Sequence, residues 1–370
     1  MHFTLSEEHQ MIEKAAKDFA VNECLPGVID RDEHQRFPKE QIMQLADLGF
    51  MGMMVSPDYG GSGMDTVSYV LAMDQISRVD ASVSVCMSVN NSLVCYGLES
   101  YGSEAQKQQY LTPLAQGKKD GELYIGAFLL SEPEAGSDAT SQRTTAEDMG
   151  DYYLLNGTKN WITNGSSASV YLVIAQTDVS KGSKGINCLI VEKNWPGVTV
   201  AAKENKLGIR GSDTHTIMFT DVKVPKENRI GEDGFGFKFA MKTLAGGRIG
   251  IASQALGIAT GAYELALKYA KTRKAFGKEI FKHQAIAFKL ADMATEIEAA
   301  RLLVMKAAKE KDLGLNYDQS SAMAKLYASK VAMEQTVEAV QIHGGYGYVK
   351  EYHVERYFRE AMLPRIAPIS

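Results

Sequence analysis

The sequence predicts an α+β protein of several domains, in which two helical regions flank a β-rich middle region. Three observations support this prediction. The first third of the chain carries helix start and stop signals, the middle consists of short β-branched and aromatic runs, and the last third returns to helical spacing. We expect the domains to cover residues 1–122, 123–230 and 231–370. With 370 residues, of which 45% are hydrophobic, the chain is large enough for this division.

The N-terminal region is predicted to be entirely helical. Ser6 suits the N-cap of a helix through "EEHQMIEKAAKDFAVNEC", and a second helix follows Pro38 and ends at Gly49. Further helix is expected from about residue 67 to residue 114. The intervening "SPDYGGSG" (56–63) is typical of a loop, and its glycines match no phosphate-binding motif.

The middle region is predicted to form a small antiparallel, barrel-like domain. Its strands are short and are separated by Gly, Asn and Asp, which favour turns. The five strand-like runs are "DYYLLNGTKNWITNG", "SVYLVIAQTD", "GINCLIVEK", "VTVAAK" and "HTIMFTDVKVP".

The C-terminal region is predicted to be a helical bundle. One helix is expected from about residue 249 to 271 and another from about residue 319 to 340. Between them, apolar residues alternate steps of four and three, which is typical of an antiparallel bundle seam. The residues of this seam are Ile286, Leu290, Met293, Ile297, Ala300 and Val304.

Composition argues against several classes of protein. The net charge of -5 disfavours nucleic-acid binding, and no apolar stretch reaches the length of a membrane span. The start of the chain lacks a secretory signal, and the four cysteines are widely spaced, so we expect a cytoplasmic protein with reduced thiols. The seven histidines form no HxxxH or HExxH set, so we expect no metal site.

Five motifs resemble the signatures of the acyl-CoA dehydrogenase family, in that family's order. They are "LSEPEAGSDATS" (130–141), "NGTKNWITNG" (156–165), "KLGIRGSDT" (206–214), "RKAFGKEIFKHQ" (273–284) and "QIHGGYGY" (341–348). The resemblance extends over about residues 3–361, and "GGRIGIASQALGIA" (246–259) is most similar to short-chain, butyryl-type members. It implies a helical N-terminal domain, a β middle domain and a C-terminal four-helix bundle.

The resemblance also implies FAD as the cofactor and assigns residues to it. Ser131 and Thr163 would bond the edge of the flavin ring and Trp161 would cover one face, while Phe128 and Leu130 would add backbone and apolar contacts. A second set would reach across a subunit interface to the pyrophosphate and adenine. This set consists of Arg273, Phe276, Gln284, Gln341, Gly344 and Gly345.

The implied reaction is the α,β-dehydrogenation of an acyl-CoA to the trans-2-enoyl-CoA. Ser137 and Arg248 match the family's positions that contact CoA. Electrons would pass to an electron-transferring flavoprotein. The sites shared between subunits would require a homo-oligomer, and the family's tetramer, a dimer of dimers, is the expected form.

The catalytic base is the point at which this chain departs from the family. The family's usual base is the Glu of a "YEGT" segment, and an ungapped comparison places Pro368 at that position. A minority of members carry the base immediately before the CoA-contacting Arg, where this chain has Gly247. A proline side chain takes no proton and glycine has no side chain. The sequence therefore identifies no catalytic residue.

Three interpretations of the missing base remain open. In the first interpretation, the chain is a truncated or frame-altered product of a dehydrogenase gene, without the family's last helix. Otherwise the base has moved, with Glu134 and Glu360 as candidates, or the protein binds FAD and acyl-CoA without dehydrogenating. A flavin oxidase that reduces oxygen directly is a further alternative.

Overall fold

A computed structural model describes residues 4–367 of the chain. Its N-terminal part is helical, as predicted. In two places a π-helical turn joins consecutive α-helices without a break. Val89–Cys95 joins the helices 81–88 and 96–101, and Lys107–Leu111 joins the helices 104–106 and 112–116. The α-helices are α1 (Glu7–Phe19), α2 (Val28–Glu33), α3 (Lys39–Asp47), α4 (Thr66–Ser77), α5 (Ala81–Ser88), α6 (Tyr96–Tyr101), α7 (Glu104–Gln106) and α8 (Thr112–Gln116).

The first helix shows how the local signals act. The Ser6 side chain accepts a hydrogen bond from the His9 backbone N–H at 3.1 Å, which satisfies one of the free N–H groups at the helix start. A π-helical turn, Ala20–Cys24, extends α1 to the predicted end. In contrast to α1, whose outer face is polar, α4 is buried along its whole length. It is therefore the central helix of this part of the chain.

The middle part forms an eight-stranded sheet with strand order β10-β7-β6-β4-β5-β9-β8, in which β3 pairs with β6. The five predicted runs correspond to β5 to β9. The sheet strands are β3 (Gly126–Leu129), β4 (Thr145–Asp148), β5 (Tyr152–Thr163), β6 (Val170–Gln176), β7 (Ile186–Glu192), β8 (Val198–Lys203), β9 (Thr214–Pro225) and β10 (Arg229–Ile230). Two short hairpins lie outside it, β1 (Lys118–Lys119) with β2 (Glu122–Leu123), and β11 (Lys274–Ala275) with β12 (Lys278–Glu279).

The sheet is mostly antiparallel, but it does not close into a barrel. Strand β3 runs parallel to β6, starting from the pair Gly126 and Val170. A parallel pair needs a long connection, and here the connection contains the β4–β5 hairpin. Just after β3, the Ser131 carbonyl accepts a hydrogen bond from the Asn160 backbone N–H of β5 at 2.9 Å, so the ends of β3 and β5 lie together, and the candidate site is built there.

The C-terminal part is helical, as predicted. Its helices are α9 (Gly236–Thr272), α10 (Gln284–Asp312), α11 (Asp318–His343), α12 (Val354–Glu360) and α13 (Leu363–Ile366). Helix α9 begins 13 residues before the expected start at residue 249. Within residues 4–367, none of the helices combines the length and the hydrophobicity needed to span a lipid bilayer.

Glycines of α9 allow close packing against α4. A Cβ at Gly257 would overlap the Asp74 carbonyl oxygen, and one at Gly261 would overlap that of Arg78. At Gly250 a Cβ would lie 2.5 Å from the Tyr69 hydroxyl. Glycine lowers helix propensity in a sequence, but here it is required by tertiary contact.

Replacing Gly257 with alanine is expected to destabilise the protein by about 1–3 kcal/mol, because the added methyl group forces α9 away from α4. Gly246→Ala is the matched control, since its Cβ would meet no atom closer than 3.8 Å. This control is expected to be neutral or to stabilise by up to about 1 kcal/mol. Urea unfolding of both variants measures the difference, and equal effects would contradict the packing role of Gly257.

Candidate active site

A cavity of about 340 Å³ lies between the ends of β3 and β5, the helical stretch 81–101, α9 and α13. We call it the main cavity. Six residues that the sequence assigned to the flavin and the thioester line it together, although they come from separate segments of the chain. They are Phe128, Leu130, Ser131, Ser137, Trp161 and Thr163.

A buried ion pair holds the β3 and β5 sides of this wall together. Lys159 is completely buried, and its Nζ donates to Glu132 Oε1 at 2.7 Å, to the Leu130 carbonyl at 3.0 Å and to Gln142 Oε1 at 3.1 Å. Burial lowers the pKa of Lys159 to about 8, against the opposing effect of Glu132. Burial alone would raise the pKa of Glu132, but the Lys159 charge and hydrogen bonds keep it below its usual value. Both groups are therefore charged at neutral pH.

A β-bulge turns Trp161 towards the cavity. The pairing of β5 with β9 shifts between Lys159 and Ile162, and Trp161 adopts a φ of 63° within that shift. A positive φ is unusual for a bulky residue and is found where function imposes it. The Trp161 side chain is 62% exposed, so a large aromatic surface is available to a flat ligand.

The hydroxyl groups of Ser131 and Thr163 also suit a flavin. Both line the main cavity, and neither side chain bonds to another group within residues 4–367. Two hydroxyls beside an exposed indole match a planar ring system that carries polar atoms on its edge. The residues present thus fit the isoalloxazine ring of FAD.

The opposite wall is helical and was not predicted from the sequence. The π-helical turn contributes Val89, Ser92 and Leu93, and α9 contributes Leu244 and Ile251. This wall is largely apolar, which suits an acyl chain. π-Helical turns are frequent at functional sites, but no local pattern in the sequence announces one.

No acidic or basic side chain lines the main cavity within the described chain. Glu134 is exposed and pairs with Arg143 at 2.5 Å, whereas Glu360 is buried and pairs with Arg356 at 2.7 Å. Burial raises the pKa of Glu360 to about 7, but neither carboxylate reaches the cavity wall.

Of the two positions at which the family carries its base, the structure describes only Gly247. Gly247 lines the main cavity, and so does Ala367, which immediately precedes the other position. Pro368 itself lies outside the described residues. Arg248 follows Gly247 but does not line the cavity.

A second cavity, of about 520 Å³, contains part of the set predicted for pyrophosphate and adenine. Arg273, Gly344 and Gly345 line it, together with the stacked rings of Tyr269 and His343, whose centroids are 4.3 Å apart.

The other members of this set lie at the surface. Phe276 is 96% exposed at the tip of the β11–β12 hairpin, and Gln284 and Gln341 are exposed but do not line the second cavity.

The two cavities are far apart along one helix. From Ile251, which lines the main cavity, α9 advances 18 residues to Tyr269, which lines the second cavity. At 1.5 Å per residue this separation is about 27 Å. The two predicted sets of FAD residues are therefore not neighbours within one chain.

A helical, β and helical chain, with a cavity whose lining fits a planar ring beside an apolar wall, has the features of a flavoprotein. Comparison with known proteins agrees. Residues 6–118, 127–222 and 234–368 match the N-terminal, middle and C-terminal domains of acyl-CoA dehydrogenases. The chain belongs to the acyl-CoA dehydrogenase family, whose members are FAD-dependent oxidoreductases.

Individual relatives resemble the chain over nearly its whole length. The short-chain-specific acyl-CoA dehydrogenase of Clostridium acetobutylicum is 46% identical, over 99% of this chain and 95% of the relative. The caffeyl-CoA reductase-Etf complex subunit CarC of Acetobacterium woodii is 49% identical, over 97% and 93%. The structure of butyryl-CoA dehydrogenase from Megasphaera elsdenii superposes with a TM-score of 0.97 at 47% identity, covering 100% of this chain and 96% of that one.

Proposed function

We propose that the protein binds FAD and a short-chain acyl-CoA in the main cavity and dehydrogenates the acyl group between its α- and β-carbons. The observation that carries this proposal is the meeting of Ser131, Trp161, Thr163 and Ser137 on one wall, opposite an apolar helical wall. The names of the relatives, short-chain-specific and butyryl-CoA dehydrogenases, support the short acyl chain.

Each wall has its own task in this proposal. Ser131 and Thr163 bind the polar edge of the ring, and Trp161 covers a face and excludes water. Leu93 and Ile251 hold the acyl chain so that its β-carbon faces the ring. When bound, FAD supplies the chemistry of accepting a hydride.

The described lining of the main cavity supplies no base for removing the proton from the α-carbon. The main cavity has no carboxylate side chain from residues 4–367, and residue 368, at the family's usual position for the base, is proline. A positioned base typically contributes a factor of about 10²–10⁴ to the rate. We therefore infer slow dehydrogenation for this chain. The same observation favours a second candidate, an FAD- and acyl-CoA-binding protein of the same fold without activity.

The partners follow from two further observations. The name of CarC places that relative in a complex with an electron-transferring flavoprotein, and we propose such a flavoprotein as the electron acceptor here. The separation of the two cavities supports a homo-oligomer, in which Arg273, Gly344 and Gly345 hold the FAD of a neighbouring copy. The homotetramer, the cytoplasmic location and the domain boundaries stay predictions.

Anaerobic mixing of the FAD-loaded protein with butyryl-CoA tests the proposal. A shift of the long-wavelength flavin band, followed by slow bleaching, is the expected result. A shift without any bleaching would support the second candidate. Failure to retain FAD at all would contradict both.

Trp161→Ala is expected to weaken FAD binding about tenfold, or ~1.4 kcal/mol, because an aromatic face is lost. Trp161→Phe keeps a ring and is expected to stay within about threefold of the original affinity. Fluorescence titration of the FAD-free protein measures both constants. Equal affinities of the alanine and phenylalanine variants would show that Trp161 does not cover the ring.

A further inference from the structure

The turn that follows Thr163 is held by one buried carboxylate. Residues 164–168 lie between β5 and β6, and we call them the wall turn. Asp213 Oδ2 accepts hydrogen bonds from the Ser166 backbone N–H at 3.0 Å, the Ser167 backbone N–H at 2.7 Å and the Ser167 hydroxyl at 2.8 Å. Two consecutive N–H groups that point at one carboxylate form an anion-binding concavity. Asp213 therefore fixes the backbone of the wall turn.

The wall turn begins directly after a residue of the main cavity, Thr163. Thr163 also pairs with Thr214 of β9, the residue that follows Asp213. The Thr163 hydroxyl makes no hydrogen bond within residues 4–367, so its position depends on its own backbone. Asp213 thus acts on Thr163 in two ways, through the pairing of β5 with β9 and through the wall turn.

The placement of Asp213 is costly for stability. The residue is 3% exposed, and its second oxygen, Oδ1, has no hydrogen-bond partner in the described part of the chain. Burial raises the pKa of this carboxyl group, against the opposing effect of the Ser167 hydrogen bonds. A buried oxygen without a donor lowers the free energy of unfolding, and such exceptions are found at functional sites. The placement therefore points to a role in function.

The motif that contains Asp213 has no other task in the two cavities. Of the five motifs, "KLGIRGSDT" (206–214) is the one that contributes no residue to the lining of either cavity within residues 4–367. The loop is itself held in place, since Arg210 Nε donates to the Asp32 carbonyl of α2 at 3.0 Å. Asp213 therefore reaches the wall turn from a fixed support.

We propose that Asp213 is a positioning residue for the flavin ring. By holding the wall turn, it keeps the Thr163 hydroxyl at the place where the polar edge of the ring binds. A hydrogen-bonding group contributes most when it is fixed in advance, because binding then orders no further backbone. This role rests on the proposed function, since it requires FAD in the main cavity.

A double-mutant cycle on FAD affinity tests this role. Thr163→Val is expected to weaken FAD binding about tenfold, because one hydrogen bond to the ring is lost. Asp213→Ala is expected to weaken it about fivefold to tenfold, because the released turn misplaces the same hydroxyl. In the Thr163→Val background, Asp213→Ala is expected to cost at most about twofold, since the hydroxyl is already absent. Fluorescence titration of the four FAD-free proteins measures the constants.

Two controls separate positioning from a general loss of stability. Asp213→Asn keeps a neutral acceptor for the wall turn and is expected to bind FAD within about threefold of the unaltered protein. Ile42→Val removes a buried methylene group from α3, which contributes no residue to the described lining of the main cavity. It is expected to lower the Tm and to leave FAD affinity unchanged.

Circular dichroism and the Tm show whether each variant is folded. If Asp213→Ala does not fold, Asp213→Ser replaces it in the cycle with the same expected result, because its hydroxyl ends one bond short of the wall turn. Additive losses in the cycle would overturn the proposal, since Asp213 would then affect FAD independently of Thr163. So would a loss of affinity in Ile42→Val as large as that in Asp213→Ala.

The cycle distinguishes failure of this role from failure of the proposed function. An unaltered protein that retains no FAD would contradict the proposed function, and the role of Asp213 with it. Additive losses in variants that still bind FAD would contradict the role of Asp213 alone.

Discussion

Replacing Gly247 with glutamate is expected to accelerate anaerobic flavin bleaching by butyryl-CoA by a factor of about 10²–10⁴. Gly247 lines the main cavity, and the new side chain would place a carboxylate there. A Cβ at this position would approach Leu93 Cδ2 at 2.8 Å, and this atom is the end of a flexible side chain that can move. The apolar wall would raise the pKa of the new carboxyl group, which suits a general base. Stopped-flow absorbance measures the rate.

Gly246→Glu is the matched control for this gain of activity. Its Cβ would face the Tyr317 hydroxyl at 3.8 Å and Lys311 Nζ at 3.9 Å, and Gly246 does not line the main cavity. Both variants add the same charge to neighbouring positions of α9. We expect bleaching to accelerate in the Gly247 variant alone. Equal rates in the two variants would show that position 247 does not present a base to the substrate.

Lys159→Met is expected to lower the free energy of unfolding by about 3–5 kcal/mol, because it leaves Glu132 buried without its cation. It also removes the donor to the Leu130 carbonyl, so the cavity wall loses a support. Urea unfolding of the FAD-free protein measures this loss.

The double variant Lys159→Met/Glu132→Gln separates the ion pair from packing. The introduced glutamine side chain would be neutral, and its single carbonyl oxygen, placed where Oε2 of Glu132 lies, would accept from the Arg143 and Thr144 backbone N–H groups, which Oε2 now bonds at 2.6 and 3.3 Å. We expect the double variant to recover at least half of the lost stability. A double variant as unstable as Lys159→Met would attribute the effect to packing.

The sequence predicted the fold well where signals are local and repeated. The Ser6 cap and the apolar runs of β5 to β9 require little beyond their own residues. Strands β3, β4 and β10 were missed because they have four or fewer residues. The start of α9 was placed too late because Gly246 and Gly247, which precede residue 249, have low helix propensity, whereas the structure buries both inside the helix.

The candidate site was likewise predicted only in part. Motif resemblance identified Ser131, Trp161 and Thr163, which the structure places on one wall, although their binding roles stay predictions. It did not identify Leu93 or Ile251, because apolar helix residues in a cavity resemble those in a core. No acidic side chain from the described residues lines the cavity. The sequence predicted this only in part, because a carboxylate from a distant part of the chain could have folded into the cavity.

The length of α9 has a consequence for how the protein is handled in solution. If one copy supplies the flavin wall and another holds the far end of the same FAD, cofactor affinity becomes linked to assembly by mass action. Each FAD would then stabilise the association of two chains, and the association would retain FAD. Dilution is expected to release the cofactor even at constant FAD concentration, and the thermal stability of the loaded protein is expected to rise with protein concentration.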